Sequence, residues 1–197
     1  MANINHKPSK YMLNLLHVLP PFVEGAEEEN IINTLVEINA GTINKYEFIT
    51  ETGTLKLDRV GYSSLAYNFA YGAIPCTWDE DDDMLDVVIP LVTEQFVPGS
   101  LVELRVIGVI KFIDGGEVDD KIVAVVNDDK RQDHITHMDQ LGDHWKKETE
   151  HYLEMYKHLK KPGTCKVGGF YGVEEALKTI EECKERYEKE YLPKFDD

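Results

Sequence analysis

From residue 31 onward, short apolar runs alternate with turn signals, and the period changes about two thirds of the way along the chain. Ile31 to Asn39 reads as a strand, and Tyr46 to Thr50 with Thr54 to Asp58 reads as a hairpin across Glu51-Thr52-Gly53. Leu85 to Val92, Leu101 to Phe112 and Lys121 to Val126 are rich in Val and Ile, and Pro98-Gly99 and Asp114-Gly115-Gly116 separate the later runs. Many short strands in one stretch suggest a small barrel. Beyond residue 140 the spacing becomes helical: Trp145, Thr149, Tyr152, Tyr156 and Leu159 recur at steps of four and three, and Pro162-Gly163 predicts the end of that helix. Val173, Ala176, Leu177, Ile180, Cys183, Tyr187 and Tyr191 then share one face of a second helix, with Glu174 and Glu175 in its first turn and Lys189 near its end.

The 197 residues suit one domain, which at this size can bury roughly 70% of the surface its unfolded chain exposes, enough for a core without disulfides. A hydrophobic content of 42% agrees. Charge changes the picture more. With 37 acidic against 21 basic residues the formal net charge is −16, so phosphate backbones and anionic lipid are repelled, which argues against nucleic acid and membrane as partners and favours cations. Cys76, Cys165 and Cys183 are odd in number and without CxxC spacing; they read as free thiols, and a cytoplasmic location is expected. Tyr11 to Val23, interrupted by Asn14, His17, Pro20 and Pro21, reads as neither anchor nor signal.

Residues 79 to 86 hold six carboxylates in eight positions, directly ahead of the apolar Val87-Val88-Ile89. Like charges so close raise one another's pKa unless a cation lies between them. A solvated acidic loop and a divalent-cation site with oxygen ligands are both open readings. Asp81, Asp83 and Asp86 can converge on one side of a turn, and Asp114 and Asp119, followed by Lys121, occupy another strand-connecting loop. A second set is cationic and phenolic: Lys45 and Glu47 at alternate strand positions, hence on one face, then Arg59, Tyr67, Tyr71 before Gly72, and Tyr156-Lys157. Singly, each has an ordinary structural reading. Together, carboxylates with Lys, Arg and Tyr donors suit a metal-complexed polyphosphate.

In order and spacing, Glu37, Lys45-Tyr-Glu47, Asp58-Arg59, Tyr67, Tyr71-Gly72, Asp81-x-Asp83-x-x-Asp86, Asp114-x₄-Asp119-x-Lys121 and Tyr156-Lys157 resemble the soluble family I inorganic pyrophosphatases. The resemblance runs from about Glu37 to Phe170 and implies an α+β, mainly β fold: a five-stranded, OB-like barrel flanked by C-terminal helices. It further implies Mg²⁺-dependent hydrolysis of pyrophosphate to two phosphates by a metal-activated water, hence a role in phosphate metabolism. Asp81, Asp86 and Asp119 match ligands of a metal pair, Asp114 with Asp119 a further metal, and Glu47 and Glu37 supporting acidic positions. Asp83 matches the general base; Lys45, Arg59, Tyr71, Lys121, Tyr156 and Lys157 match phosphate-binding positions; Tyr67 matches the site wall. The whole chain, 1–197, then reads as a single pyrophosphatase-like domain whose residues 1–30 form an N-terminal extension without an assigned role.

Two departures stand out. Met84 replaces the family's usual Pro or Glu, and Asn68 replaces a Pro between the two tyrosines. Both changes remove a backbone constraint, so looser loops are expected. His137, His144, His151 and His158 recur every seven residues, about 10.5 Å apart along a helix, too far to share a metal, and read as a solvated or subunit-facing stripe. The resemblance implies a homo-oligomer, hexameric in bacterial relatives, built through helix contacts. The competing reading is a catalytically silent OB-like module that binds divalent cations or a protein partner.

Overall fold

Strand β1 (Ile31–Ile38) is buried at every position because it is hydrogen-bonded on both edges, antiparallel to β4 (Ala70–Ala73) and to β6 (Leu101–Asp114). The computed structural model describes residues 13–26 and 30–191. From β4 the sheet continues through β5 (Asp86–Ile89) and β8 (Lys121–Val126) back to β6, so five strands close into a mixed barrel, as expected. Its one parallel pairing along this circuit joins β5 to β8, with Asp86 opposite Lys121. The two-residue strand β7 (Glu117–Val118) folds back on the end of β6, and β9 (Cys165–Tyr171) lies antiparallel along the same strand. The predicted hairpin is a separate two-stranded sheet of β2 (Asn44–Ile49) and β3 (Thr54–Val60).

Strand alternation sends side chains to two apolar clusters. One gathers Ile32, Val36, Val87, Ile89, Ile122 and Ala124 with Ala176, Ile180 and Cys183 of helix α3 (Val173–Arg186). The other gathers Val88, Ile107, Val123 and Val125 with Tyr152 and Leu153 of helix α2 (Asp143–Met155). The C-terminal helices thus cover opposite faces of the sheet. A third cluster draws in the N-terminal region: Leu16, in the single-turn helix α1 (Leu15–Val18), is fully buried against Leu35, Ala73, Trp78, Met84 and Tyr187. Leu16 thus anchors the described part of the extension to the core, while residues 1–12 and 27–29 lie outside the described residues.

Several boundaries differ from the sequence pattern. The strand expected from Leu85 to Val92 stops at Ile89, because Pro90 offers no N–H to the ladder. Helix α2 ends at Met155 rather than continuing to Leu159, which is 73% exposed; the backbone curls instead through His158 N–H to Met155 O and Lys160 and Lys161 N–H to Lys157 O. The second predicted helix runs to Arg186 and closes in a π-helical turn, Tyr187–Tyr191. Strands β4 and β9 were not apparent in the apolar pattern. Gly72 explains the Tyr-Gly pair in β4: a Cβ there would meet Leu35 O at 2.4 Å, so only glycine lets β4 lie this close to β1.

Candidate active site

The acidic run is a loop between β4 and β5, closed from inside. Thr77 Oγ1 donates to Ile74 O (2.7 Å) and accepts from Leu85 N–H (3.0 Å), and Asp79 N–H donates to Asp83 O (2.7 Å). Asp82 takes a left-handed backbone, φ +63°, a conformation Asp tolerates better than most residues. Around this turn, Asp81 and Asp83 both reach a cleft of about 190 Å³, joined by Asp86 from the first position of β5. Asp114 at the end of β6, Asp119 ahead of β8 and Lys121 at its start form the next wall. Lys45 and Glu47 of β2, Arg59 of β3, and Tyr67 and Tyr71 entering β4 complete another. Tyr156 and Lys157 enter from the turn after α2, and Glu37 of β1 lies beneath.

All fourteen residues singled out from the sequence therefore line one cleft. Glu117 and Tyr152 line it as well and were not singled out as site residues. Glu117 sits opposite Asp114 across the β6–β7 hairpin, and its place between Asp114 and Asp119 was the available signal. Tyr152 was visible only as part of a helical face; its ring lies 4.9 Å from that of Tyr67.

Cations and carboxylates alternate across the cleft. Lys121, 3% exposed, bridges Asp86 (2.5 Å) and Asp119, and Tyr71 donates its phenolic hydrogen to Asp86. Lys157 and Tyr156 (3.1 Å) both donate to Asp114. Lys45 pairs with Glu47 at 3.2 Å, as alternate-position spacing requires, and Arg59 pairs with Asp58 at 2.5 Å. Glu37 accepts from Phe48 N–H at 3.0 Å. Burial works against the Lys121 charge, yet Asp119 and Asp86 hold its ammonium well above the ordinary lysine pKa. For Lys45, burial and Arg59 oppose the charge, while Asp86 and Glu47 outweigh them.

The carboxylates nevertheless outnumber what these cations satisfy. Burial, then Asp119 and Asp86, push Asp81 up to about 8; burial, then Asp86, push Asp83 up to about 7. Burial, with Asp86 and Asp83, also drives Glu37 well above the carboxylate range. In contrast, although burial opposes it, hydrogen bonding and charge from Lys157 draw Asp114 below the ordinary value.

Among the described residues no three His, Cys, Asp or Glu side chains are already drawn together tightly enough to hold an ion. The donor chemistry still fits one. Asp81 Oδ1 is a buried oxygen without a hydrogen-bond partner, and the surrounding acceptors are hard carboxylate oxygens of the kind that Mg²⁺ takes.

The two departures are tied down rather than loose. Met84 is 3% exposed, packs with Trp78, Tyr187 and Tyr191, and donates its N–H to Asp83 Oδ1 at 2.8 Å. Asn68 Nδ2 donates to Thr149 Oγ1 of α2 at 3.3 Å, linking the tyrosine loop to the helix that precedes Tyr156. The four histidines are exposed; His144 and His151 lie on α2, whereas His137 precedes it and His158 follows it, so the stripe is not one helical face.

Comparison with known proteins agrees with this geometry. Residues 34–188 match the family model described as inorganic pyrophosphatase. The inorganic pyrophosphatase of Neisseria meningitidis serogroup B is 42% identical over 181 residues, 91% of this chain and 99% of its own. That of Geobacillus stearothermophilus is 39% identical over 165 residues, 84% of this chain and 99% of its own. The crystal structure of an inorganic pyrophosphatase from Neisseria gonorrhoeae superposes with a TM-score of 0.83 at 40% identity, covering 88% of this chain and 99% of that one.

Proposed function

Because this chain belongs to the inorganic pyrophosphatase family, we propose that its cleft hydrolyses inorganic pyrophosphate to two phosphates with Mg²⁺. The observation that carries this reading is the convergence of seven separate segments, bringing the seven carboxylates and seven cationic or phenolic groups singled out from the sequence into one cleft. Asp81, Asp86, Asp114, Asp119 and Glu47 would hold Mg²⁺. The metal, when bound, would relieve the carboxylate repulsion and make an attacking water easier to deprotonate.

Asp83 is the general base in this reading. In the metal-free cleft burial and then Asp86 push its pKa up to about 7, within reach of proton exchange near neutral pH, and it lies beside Asp86 among the carboxylates. Lys45, Arg59, Lys121, Tyr71, Tyr156 and Lys157 hold the phosphoryl oxygens. Each of the lysines now donates to a carboxylate, so binding exchanges one oxygen partner for another without stranding the charge. Phosphoryl transfer demands positioning and charge relief more than covalent help, and these fixed cations supply both to the leaving phosphate. Glu37 and Tyr67 support the base and the wall.

The silent-module alternative is not favoured. A decayed site would lose polar groups whose burial is costly without a ligand, whereas every polar position is kept. We further propose one catalytic domain, acting in the cytoplasm as a homo-oligomer, hexameric by family resemblance. Free thiols at Cys76, Cys165 and Cys183 support a reducing compartment, and among the described residues no helix is long and apolar enough to cross a membrane. The decisive experiment is phosphate release from pyrophosphate at millimolar Mg²⁺, with EDTA as control. Release is expected with Mg²⁺ alone, and faster than from ATP or a simple phosphate ester; a folded protein without release would overturn the reading.

A further inference from the structure

Asp79 belongs to the acidic run yet does not line the cleft: it is 5% exposed and faces the opposite way, toward the last turns of α3. Its contacts reach three elements at once. Its N–H donates to Asp83 O (2.7 Å) and its carbonyl accepts from Asp82 N–H (3.3 Å), closing the turn that presents Asp81 and Asp83. Its Oδ2 accepts from the backbone N–H of Asp120 (3.2 Å), the residue between Asp119 and Lys121. Its Oδ1 lies 3.4 Å from Arg186 Nη1 and accepts from the Cys183 thiol at 3.5 Å. Arg186 also donates to Trp78 O (2.8 Å), and Trp78 N–H donates to Cys183 O (2.9 Å), so α3 grips the loop through side chain and backbone.

Asp120 is itself turned away from the cleft. Its carboxylate pairs with Lys111 (2.7 Å) and accepts from Phe112 N–H (3.1 Å). Neighbouring residues thus divide the labour: Asp119 faces the cleft, and Asp120 fixes the backbone behind it. One carboxylate, Asp79, is hydrogen-bonded to that backbone and sits at the root of the loop carrying the other group of acidic residues. The separation between Asp81 and Asp83 on one side and Asp119 on the other is therefore set from outside the cleft.

We propose that Asp79, anchored by Arg186, is a positioning residue that holds the two carboxylate groups at the spacing Mg²⁺ requires. The proposal rests on the cleft being the pyrophosphatase site. Partners one step removed from metal ligands commonly govern affinity by about 10- to 100-fold. Asp79→Ala removes the acceptor for Asp120 N–H and the charge facing Arg186; Asp79→Asn keeps an acceptor of the same shape.

Calorimetric Mg²⁺ titration of the full-length chain is the primary readout, with the Mg²⁺ dependence of phosphate release and melting in EDTA alongside. Asp79→Ala should weaken Mg²⁺ binding by about 10-fold and raise the Mg²⁺ concentration for half-maximal activity by the same factor. Asp79→Asn should recover most of that loss, and Arg186→Met, which leaves the Asp79–Asp120 hydrogen bond available, should show a smaller weakening. Folded Asp79→Ala with unchanged Mg²⁺ affinity would overturn the proposal, whatever its melting temperature, because a purely structural prop would move melting alone. If Asp79→Ala does not fold, folded Arg186→Met with unchanged Mg²⁺ affinity does the same. An inactive parent protein would instead sink the assignment of the cleft, so the two failures are distinguishable.

Discussion

Asp86 and Lys121 are register partners on the parallel strands β5 and β8, and their side chains meet at 2.5 Å. A proposed metal ligand and a proposed phosphate-binding cation are thus locked side by side by the backbone ladder. Removing Asp86 leaves the Lys121 ammonium, 3% exposed, with Asp119 as its remaining carboxylate partner. Asp86→Ala should therefore cost about 2 to 3 kcal/mol of apo stability as well as weakening Mg²⁺ binding. Denaturant unfolding in EDTA measures the first and calorimetry the second; unchanged stability would mean that the pair is not maintained in solution.

Asp81 should behave in the opposite way. Its Oδ1 has no partner, and its pKa near 8 lies above the unfolded value. The folded state then binds more protons than the unfolded one between about pH 4 and 8, so this residue makes the apo protein less stable as pH rises through that window. Asp81→Asn should raise the apo melting temperature at pH 8, leave it nearly unchanged at pH 4, and weaken Mg²⁺ binding. Parallel melting curves for the two proteins across that range would contradict it.

Asp83→Asn keeps size and hydrogen-bonding capacity but cannot accept a proton. Turnover should fall by about 10²- to 10⁴-fold, with Mg²⁺ binding little changed and the acidic limb of the rate profile displaced. Met84→Pro should also reduce turnover, since it deletes the N–H that Met84 donates to Asp83 Oδ1 and the packing of a buried side chain. Rates from pH 6 to 9 at saturating Mg²⁺ test both; near-normal turnover of Asp83→Asn places the base elsewhere.

Lys157 approaches the cleft from outside the barrel and can be removed without stranding a buried partner, because Asp114 keeps its bond from Tyr156. Lys157→Gln should raise KM for pyrophosphate by about 10-fold or more while lowering kcat less, the loss of a charged hydrogen bond to substrate. Steady-state kinetics decide this; an unchanged KM removes Lys157 from the binding set.

Leu16→Ala tests the N-terminal region. A fully buried leucine truncated in a packed cluster costs about 2 to 5 kcal/mol, and Leu16 touches the same cluster as Met84 and Trp78 beneath the acidic loop. A shift in urea midpoint of that size is expected, with folded protein still active; no shift would show that the segment is not docked in solution.

The barrel was legible where strands are covered on both faces. β1, β6 and β8 carry near-continuous apolar runs, and their pairing follows. β9 was hidden because Gly168 and Gly169 interrupt its pattern and several of its side chains are partly exposed. α2 is shorter than the helical period of Tyr156 and Leu159 predicts, and just past its end Tyr156 and Lys157 are held by Asp114 across the cleft. The grouping of the fourteen residues in one cleft is legible through order and spacing. The part played by Asp79 is not, since nothing in a run of acidic letters distinguishes the one that faces inward.

The pairing of β1 with β6 closes the barrel by joining segments roughly 70 residues apart, the kind of non-local contact that slows folding. Part of the cleft is built on that ring, from Glu37 on β1 and Asp86 on β5 to Lys121 on β8. In an open chain the run from Asp79 to Asp86 already repels itself, but Asp114 and Asp119, roughly 30 residues further on, are not held beside it. Folding brings the two acidic groups into one cleft and adds the repulsion between them, as Asp119 adds to the shift of Asp81. Mg²⁺ in the surrounding solution should therefore favour the closed barrel over the open chain.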